Sequence, residues 1–411
     1  RQPHPSRYVI GALVRVMSPF SQSLTQKRKD HLCDRAGRPI FSSLSEYTME
    51  GPYSARFPSS PTGEKSRRAT VFRGTAEDRP RLCRLAPQRE VSDMAENHDE
   101  FDHQPVMLDE IVAAFDSVPA GWVIDATLGG AGHSVAILDA YPHLCVLGID
   151  QDVDALVVAR DRLARFGERA RTVQARFDSF AAIVRSELPD QPIVGALFDL
   201  GVSSPQFDRA ERGFSYRFDA ALDMRMDASQ SLSAMTVVNE YDEKQLARVL
   251  RDFGDERFAG RIARSIIAAR PVETTTQLAE ITRDAIPAPA RRTGGHPAKR
   301  TFQAIRIEVN SELAILPEAL RATIAALAPG ARLAVLTYHS GEDRIVKSVM
   351  RTAETGNCSC PSHLPCACGA LRSVKRIRAS RDATAAERVS NPRSTSARLR
   401  VVEKLIEGEV K

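Results

Sequence analysis

The stretch Asp125-Ala-Thr-Leu-Gly129-Gly130-Ala131-Gly132-His133 decides the fold. It follows an apolar run at 122–127 and precedes a helical pattern at 133–140, so a glycine-rich turn stands directly between a strand and a helix. Glycine there admits positive φ and lets the backbone approach a ligand, while the first helical N–H groups face whatever fills the turn. Taken alone, such a turn serves any nucleotide or cofactor site, or merely reverses the chain.

Working outward, short apolar runs at 122–127, 144–150, 171–176, 193–200 and 332–338 alternate with longer helical patterns. The helix expected over 153–166 carries Leu156, Ala159, Leu163 and Phe166 at helical spacing. This rhythm predicts an α/β fold: a doubly wound parallel sheet with helices on both faces. Residues 201–331, far more than one crossover helix needs, separate the fourth and fifth runs. They contain helical patterns at 243–252, 256–269 and 275–285, the last introduced by a threonine cluster suited to capping. A polar stretch with Gly and Pro at 287–297 follows, and helical periodicity resumes at Thr301. The reading is a small helical domain grafted onto the carboxyl edge of the sheet, where α/β folds bind ligands. The boundaries drawn are 1–97, 98–212 (core, first part), 213–301 (helical insert) and 302–411 (core, second part).

Composition bounds the rest. The 411 residues are 43% hydrophobic and 27% charged with net charge +5, ordinary globular material. Residues 1–93 hold about 17 Lys and Arg against about 9 Asp and Glu, with Ser, Pro and Arg recurring without period. The excess there exceeds the whole chain's, so the remainder is near neutral and the basic balance says little about nucleic acid. Residues 1–97 are read as disordered or as an upstream extension. No run approaches the 18 apolar residues of a membrane span. Seven cysteines, three of them scattered singly (Cys33, Cys83, Cys145), argue against a secreted disulfide framework and for a reducing cytoplasm.

The second run ends in Gly148-Ile149-Asp150, about 20 residues after the glycine turn, where a carboxylate would accept hydrogen bonds from ribose hydroxyls. Asp152 is suited to capping the next helix. The pairing favours adenosine recognition without choosing between a nicotinamide dinucleotide and S-adenosylmethionine. The glycine spacing is not GxGxxG, and a cofactor without phosphate suits the looser turn. The fourth run ends in Asp199-Leu-Gly201-Val-Ser203-Ser204-Pro205-Gln206, where Asp199 either accepts a hydrogen bond from substrate or cofactor or caps the following turn.

Further motifs extend the pattern: His103-Gln-Pro-Val-Met-Leu-Asp-Glu110, Glu211-Arg-Gly-Phe-Ser215, Leu222-Asp-Met-Arg-Met-Asp227, Gly254-Asp-Glu-Arg-Phe-Ala259, His296-Pro-Ala-Lys-Arg-Thr-Phe-Gln-Ala304, Val309-Asn-Ser-Glu312, Tyr338-His-Ser340 and Asn391-Pro-Arg393. In this order, over roughly 98–405, they resemble the RsmH (MraW) family of ribosomal RNA methyltransferases. The resemblance implies a Rossmann-like class I methyltransferase sheet and S-adenosylmethionine as cofactor. It also implies methylation of the exocyclic N4 amine of a decoding-centre (P-site) cytidine in 16S rRNA of the small ribosomal subunit. It further implies that Gly129, Gly130, Ala131, Gly132 and His133 meet the cofactor at the turn, that Asp150 holds its ribose, that Phe177 lies beside adenine, and that Asp199 and Gln206 complete the contact. Gly341 stands where the family often has Leu, which is expected to loosen that loop.

The chemistry then nominates roles. A cytosine amine is a poor nucleophile, so it must be oriented and its proton taken up; Asp199, with His339 as an aid, is the candidate catalytic group. Phosphates need exposed cations, for which Arg212, Arg225, Lys299, Arg300 and Arg306 are nominated, alongside Arg217, Arg291, Arg292 and the basic run 372–400. Each of these is equally a solvated charge or a structural ion-pair member. Cys358, Cys360, Cys366 and Cys368, with His363 among them, leave tetrahedral zinc, a redox-labile loop and unligated thiols open, and no metal is assigned. Alternatives are a methyltransferase of this fold acting on DNA or protein, and a non-catalytic RNA-binding assembly factor. A homodimer is left open.

Overall fold

The computed structural model describes residues 105–203, 206, 209–291, 295–361 and 367–406. The chain divides into two units, Arg1–Val91 and Ser92–Lys411, and all described residues belong to the second, so the reading of residues 1–97 falls outside them.

The strands are β1 Gly121–Asp125, β2 Leu144–Asp150, β3 Ala170–Gln174, β4 Ile193–Asp199, β5 Arg332–Thr337, β6 Val374–Ile377 and β7 Arg398–Lys404. They form one sheet in the order β3-β2-β1-β4-β5-β7-β6, in which β7 runs antiparallel between β5 and β6. Side chains alternate across it. Trp122, Ile124, Leu147, Ile149, Ala196, Phe198, Leu333 and Val335 point to one core; Val123, Leu144, Val146, Val194, Leu197, Ala334 and Leu336 point to another. The first core is closed by helices Phe180–Glu187, Glu312–Ala326 and Ser340–Thr355, the second by Leu108–Ala114, Gly132–Ala140 and Val153–Leu163. Burial on both faces explains why the central strands read as near-continuous apolar runs.

A third core belongs to residues between β4 and β5. It runs from Phe214 to Val309 and gathers Val237, Leu246, Leu250, Ile262, Ile266, Leu278, Phe302 and Ile305. Its helices are Ala234–Glu240, Glu243–Gly254, Ala259–Ala268, Thr275–Ala285 and Lys299–Asn310. Asp242 with Gln245 and Thr274 with Gln277 form capping boxes, which satisfy two otherwise orphaned N–H groups at each start.

Three expectations shift. The helix expected from 256 begins at Ala259, because Asp255 takes φ 49 and Glu256 turns inward to accept the Phe258 N–H at 2.8 Å. The helix expected to reach 166 ends at Leu163 and continues as a tighter turn broken at Gly167, φ 55. The basic run 372–400 contains β6 and the start of β7, with Val374 and Leu399 buried between its charges.

Candidate functional site

Chain order reverses between β1 and β4, and the crevice beyond the carboxyl ends of these strands is where such sheets bind ligands. Three strands end there on carboxylates: Asp125 on β1, Asp150 on β2 and Asp199 on β4. Asp125 is buried and accepts from Ser134 Oγ at 2.6 Å and from the Thr127 N–H at 3.3 Å. Burial pushes its carboxyl up, against the pull of Ser134 and His133.

The glycine turn is built around Asp150. Gly129 takes φ 50 and donates its N–H to Asp150 Oδ2 at 2.8 Å, while Oδ1 accepts the Asp152 N–H at 2.9 Å. Burial raises Asp150 to about 6 despite those two donors. Ala131 caps the following helix with φ 62, fully buried, a left-handed residue that costs about 1 kcal/mol without glycine's freedom. Gly132 is required by space: an added Cβ would stand 2.4 Å from Pro105 Cγ.

His133 points inward. Its Nε2 lies 2.9 Å from the Val106 carbonyl, and its Nδ1 3.6 Å from Asp199 Oδ2. Because a carbonyl only accepts, Nε2 carries a hydrogen, and Nδ1 faces the carboxylate. On its other side, Asp199 Oδ1 accepts from Tyr338 Oη at 2.6 Å. Register explains this meeting: Asp199 pairs with Leu336 on β5, two residues before Tyr338. Burial raises Asp199 more than His133 and Tyr338 lower it, and burial beside Asp199 lifts the Tyr338 phenol well above its usual range.

His339 caps the helix Ser340–Thr355 by accepting the Gly341 N–H at Nδ1, 3.2 Å away. Glu342 Oε2 accepts the N–H groups of Tyr338 and His339 at 2.7 and 3.2 Å. The His339 Nε2 is 3.1 Å from Glu342 Oε1 without the alignment of a hydrogen bond. Gly341 sits inside this cap, and a Cβ there would stand 3.1 Å from the His339 ring. The glycine thus supplies the capped N–H of a formed helix start instead of an irregular loop.

The segment between β4 and β5 reaches the same crevice. Gln206 donates to Asp152 Oδ2 at 2.8 Å and accepts the Ser203 N–H at 3.2 Å; Ser204 and Pro205 lie outside the described residues. Asp152 also caps its helix and pairs with Arg212 at 3.0 Å. Arg212 in turn donates to the carbonyls of Arg225 and Met226 at 3.0 and 3.2 Å. Asn310 closes this loop from the other side, accepting the Met226 N–H and donating to the Met224 carbonyl, both at 2.8 Å. Phe177 follows β3, half-buried, with its ring edge-on to Phe198 at 5.8 Å.

The nominated cations divide. Arg225 holds Asp223 through two bonds of 2.8 Å, and Arg306 holds Glu312 through two of 2.8 Å. Arg291 is tied to the carbonyls of Ile286 and Asp284. Lys299 and Arg300 are exposed at the start of their helix, Arg300 touching the Asp255 carbonyl at 3.1 Å. Arg217 is exposed beside a stacked pair, Tyr216 on His296 at 4.3 Å and 7°. Arg292, His363 and Cys366 lie outside the described residues.

Asp125 and Tyr338 had no role in the sequence reading. Asp125 lies inside the glycine motif, and its strand-end position is the signal the sequence offers. Tyr338 gave none, since its contact to Asp199 depends on how β4 and β5 align.

The donor set selects among cofactors. Carboxylates at three adjacent strand ends, Asp125 buried and Asp150 and Asp199 half-buried, repel a pyrophosphate and attract the sulfonium and ammonium of S-adenosylmethionine. Asp150 offers an acceptor for ribose hydroxyls, and Ser203 Oγ is buried without a protein partner, its Cβ 3.8 Å from where a Gly129 side chain would begin. The residues therefore fit that group. The MraW methylase family model matches residues 100–405. Ribosomal RNA small subunit methyltransferase H of Symbiobacterium thermophilum is 50% identical over 316 residues, which cover 75% of this chain and 98% of that one. The protein of the same name from Mycolicibacterium gilvum is 47% identical over 345 residues, covering 81% and 90%. That from Heliobacterium modesticaldum is 49% identical, covering 74% and 99%. With sheet order, strand-end acids and motif series in agreement, the chain belongs to the MraW methylase family and is an S-adenosylmethionine-dependent methyltransferase.

Proposed function

We propose that this chain methylates the exocyclic N4 amine of a decoding-centre (P-site) cytidine in the 16S rRNA of the small ribosomal subunit. The observation that carries the reading is the near-complete overlap, at about half identity, with relatives named for small-subunit ribosomal RNA. When bound, S-adenosylmethionine supplies an electrophilic methyl group on sulfur. Asp150 and the turn 129–133 hold the adenosyl end, with Phe177 and Gln206 as further contacts. Asp199 stands at the neighbouring strand end, its Oδ1 fixed by Tyr338. Accepting a hydrogen bond from the amine, it orients the nitrogen lone pair, and its raised proton affinity suits it to take up the proton that the amine loses. His339, next to Tyr338 in the chain and with its Nε2 3.1 Å from Glu342 Oε1, is the proposed aid to Asp199.

RNA is gripped through phosphates and stacking. The exposed Arg217, Lys299 and Arg300 beside the Tyr216–His296 stack combine charge with flat rings, the pairing that single-stranded RNA rewards. Burial and the neighbouring Arg283 and Arg217 hold His296 below its usual range, so it is neutral near pH 7 and acts as a ring. The substrate domain is the segment 213–301 together with the rest of the helix Lys299–Asn310, whose Phe302, Ile305 and Val309 share its core. No helix among the described residues is long and apolar enough to cross a membrane, and no described cysteine is in a disulfide, which supports a cytoplasmic enzyme.

The test is transfer of labelled methyl from S-adenosylmethionine to isolated small subunits lacking the modification, with the product base mapped by mass spectrometry. N4-methylcytidine at one decoding-centre position is expected. Label on DNA or protein, or on another base, overturns the substrate. An Asp199→Asn chain that binds cofactor poorly yet transfers at the normal rate when saturated removes Asp199 from the proton path.

A further inference from the structure

The helix Ser340–Thr355 and β6 are joined by a loop whose neck is closed by hydrogen bonds to the last helical carbonyls. The Ser373 N–H donates to the Ala353 carbonyl at 2.9 Å, and Arg372 Nε to the Glu354 carbonyl at 2.9 Å. At Gly356, φ 60, an added Cβ would stand 2.3 Å from the Leu371 carbonyl oxygen, so helix end and returning chain touch directly. Within this closure the sulfurs of Cys358, Cys360 and Cys368 all lie within 4.8 Å of one another. The cluster follows the far end of a 16-residue helix, roughly 24 Å along from the His339 cap, and takes no part in the methyl-transfer site.

Packing does not account for these thiols. A cysteine serving as a small apolar side chain is normally buried, whereas Cys358 and Cys360 are half-buried and Cys368 is exposed. Four bonds of about 2.3 Å around a tetrahedral ion place ligand sulfurs about 3.8 Å apart, so the three need close by only about 1 Å to share one.

We propose that Cys358, Cys360 and Cys368 bind one zinc ion, which fastens the end of the helix Ser340–Thr355 to the approach of β6. The three thiols lose their protons to solvent on binding, and the fourth position belongs to a donor other than these three. Soft thiolates at tetrahedral spacing select zinc over the harder divalent ions. The site is structural and separate from the cofactor pocket.

The full chain, purified without added metal or chelator, should contain about one zinc per molecule by elemental mass spectrometry. Each of Cys358→Ser, Cys360→Ser and Cys368→Ser should lower that content at least severalfold, and Cys145→Ala should not. Cobalt titrated into the zinc-stripped, unaltered chain should produce thiolate-to-metal absorption and the visible bands of a tetrahedral ion. This second measurement decides the matter if a serine variant fails to fold. A stripped chain that keeps its circular dichroism but gives no thiolate absorption overturns the site. So does stoichiometric iron with the broad absorption of a cluster, or a disulfide among the three in reducing buffer.

Discussion

The strand-end acids and the arginines in and beside the inserted segment stand out equally in the sequence, and the structure treats them differently. Asp150 and Asp199 stand at one crevice because strand ends in a parallel sheet are level, whatever lies between them in the chain. Arg212, Arg225 and Arg306 occur in equally distinctive motifs, yet each is held by an acid: Asp152, Asp223 and Glu312. A backbone scaffold fixes where an acid stands. The availability of a cation depends on which partner folding brings to it.

The largest effect should come from breaking one of those pairs. Arg306→Ala leaves Glu312, nearly enclosed, without its partner and should cost about 3 kcal/mol in urea unfolding. Arg306→Met with Glu312→Leu should recover most of it, and if the single variant unfolds like the parent, Arg306 is released to be an RNA contact after all. On the opposite side of the comparison, Asp150→Ala should weaken S-adenosylmethionine binding by about thirtyfold, or about 2 kcal/mol, in calorimetry while the fold persists. An unchanged affinity moves the ribose elsewhere.

The same carboxylate predicts a pH profile. Its value of about 6 means that it is ionised above that pH and protonated below. If ribose hydroxyls need the ionised form, affinity falls by up to about tenfold for each unit below pH 6. Asp150→Asn should bind weakly and without that slope. For stability the sign is opposite: a raised carboxyl favours the protonated folded state, so Asp150 makes the ligand-free chain lose stability as pH rises from about 4 to about 6. The smallest effect belongs to the exposed cations. Lys299→Gln should lower RNA affinity only a few-fold and reduce the slope of log affinity against log salt by about 1. A loss as large as that of Asp150→Ala would mean that Lys299 reads a base.

What could be read in the sequence follows the same division. The five parallel strands, the glycine turn and the Asp152 cap are local features, written in periodicity and spacing. β6 and β7 escaped because exposed Lys375, Arg376 and Arg398 interrupt their apolar pattern, and the region reads as a basic run. The Tyr338–Asp199 bond, the Arg212 junction and the Asn310 clamp join residues 139, 60 and 84 apart in the chain, and no local pattern encodes such pairings. The nearness of the three cysteine sulfurs lies between these cases: the crowding is visible in sequence, but the closed neck that holds them together is not.

The place of β7 carries a consequence for biosynthesis. This strand emerges after all the others, yet it fills the slot between β5 and β6. Until it is made, β5 exposes an open edge and β6 has no neighbour, so a nascent chain must keep that gap clear of foreign strands. A stop codon near residue 398 would spare every pocket residue named above and still leave a protein that cannot close its sheet.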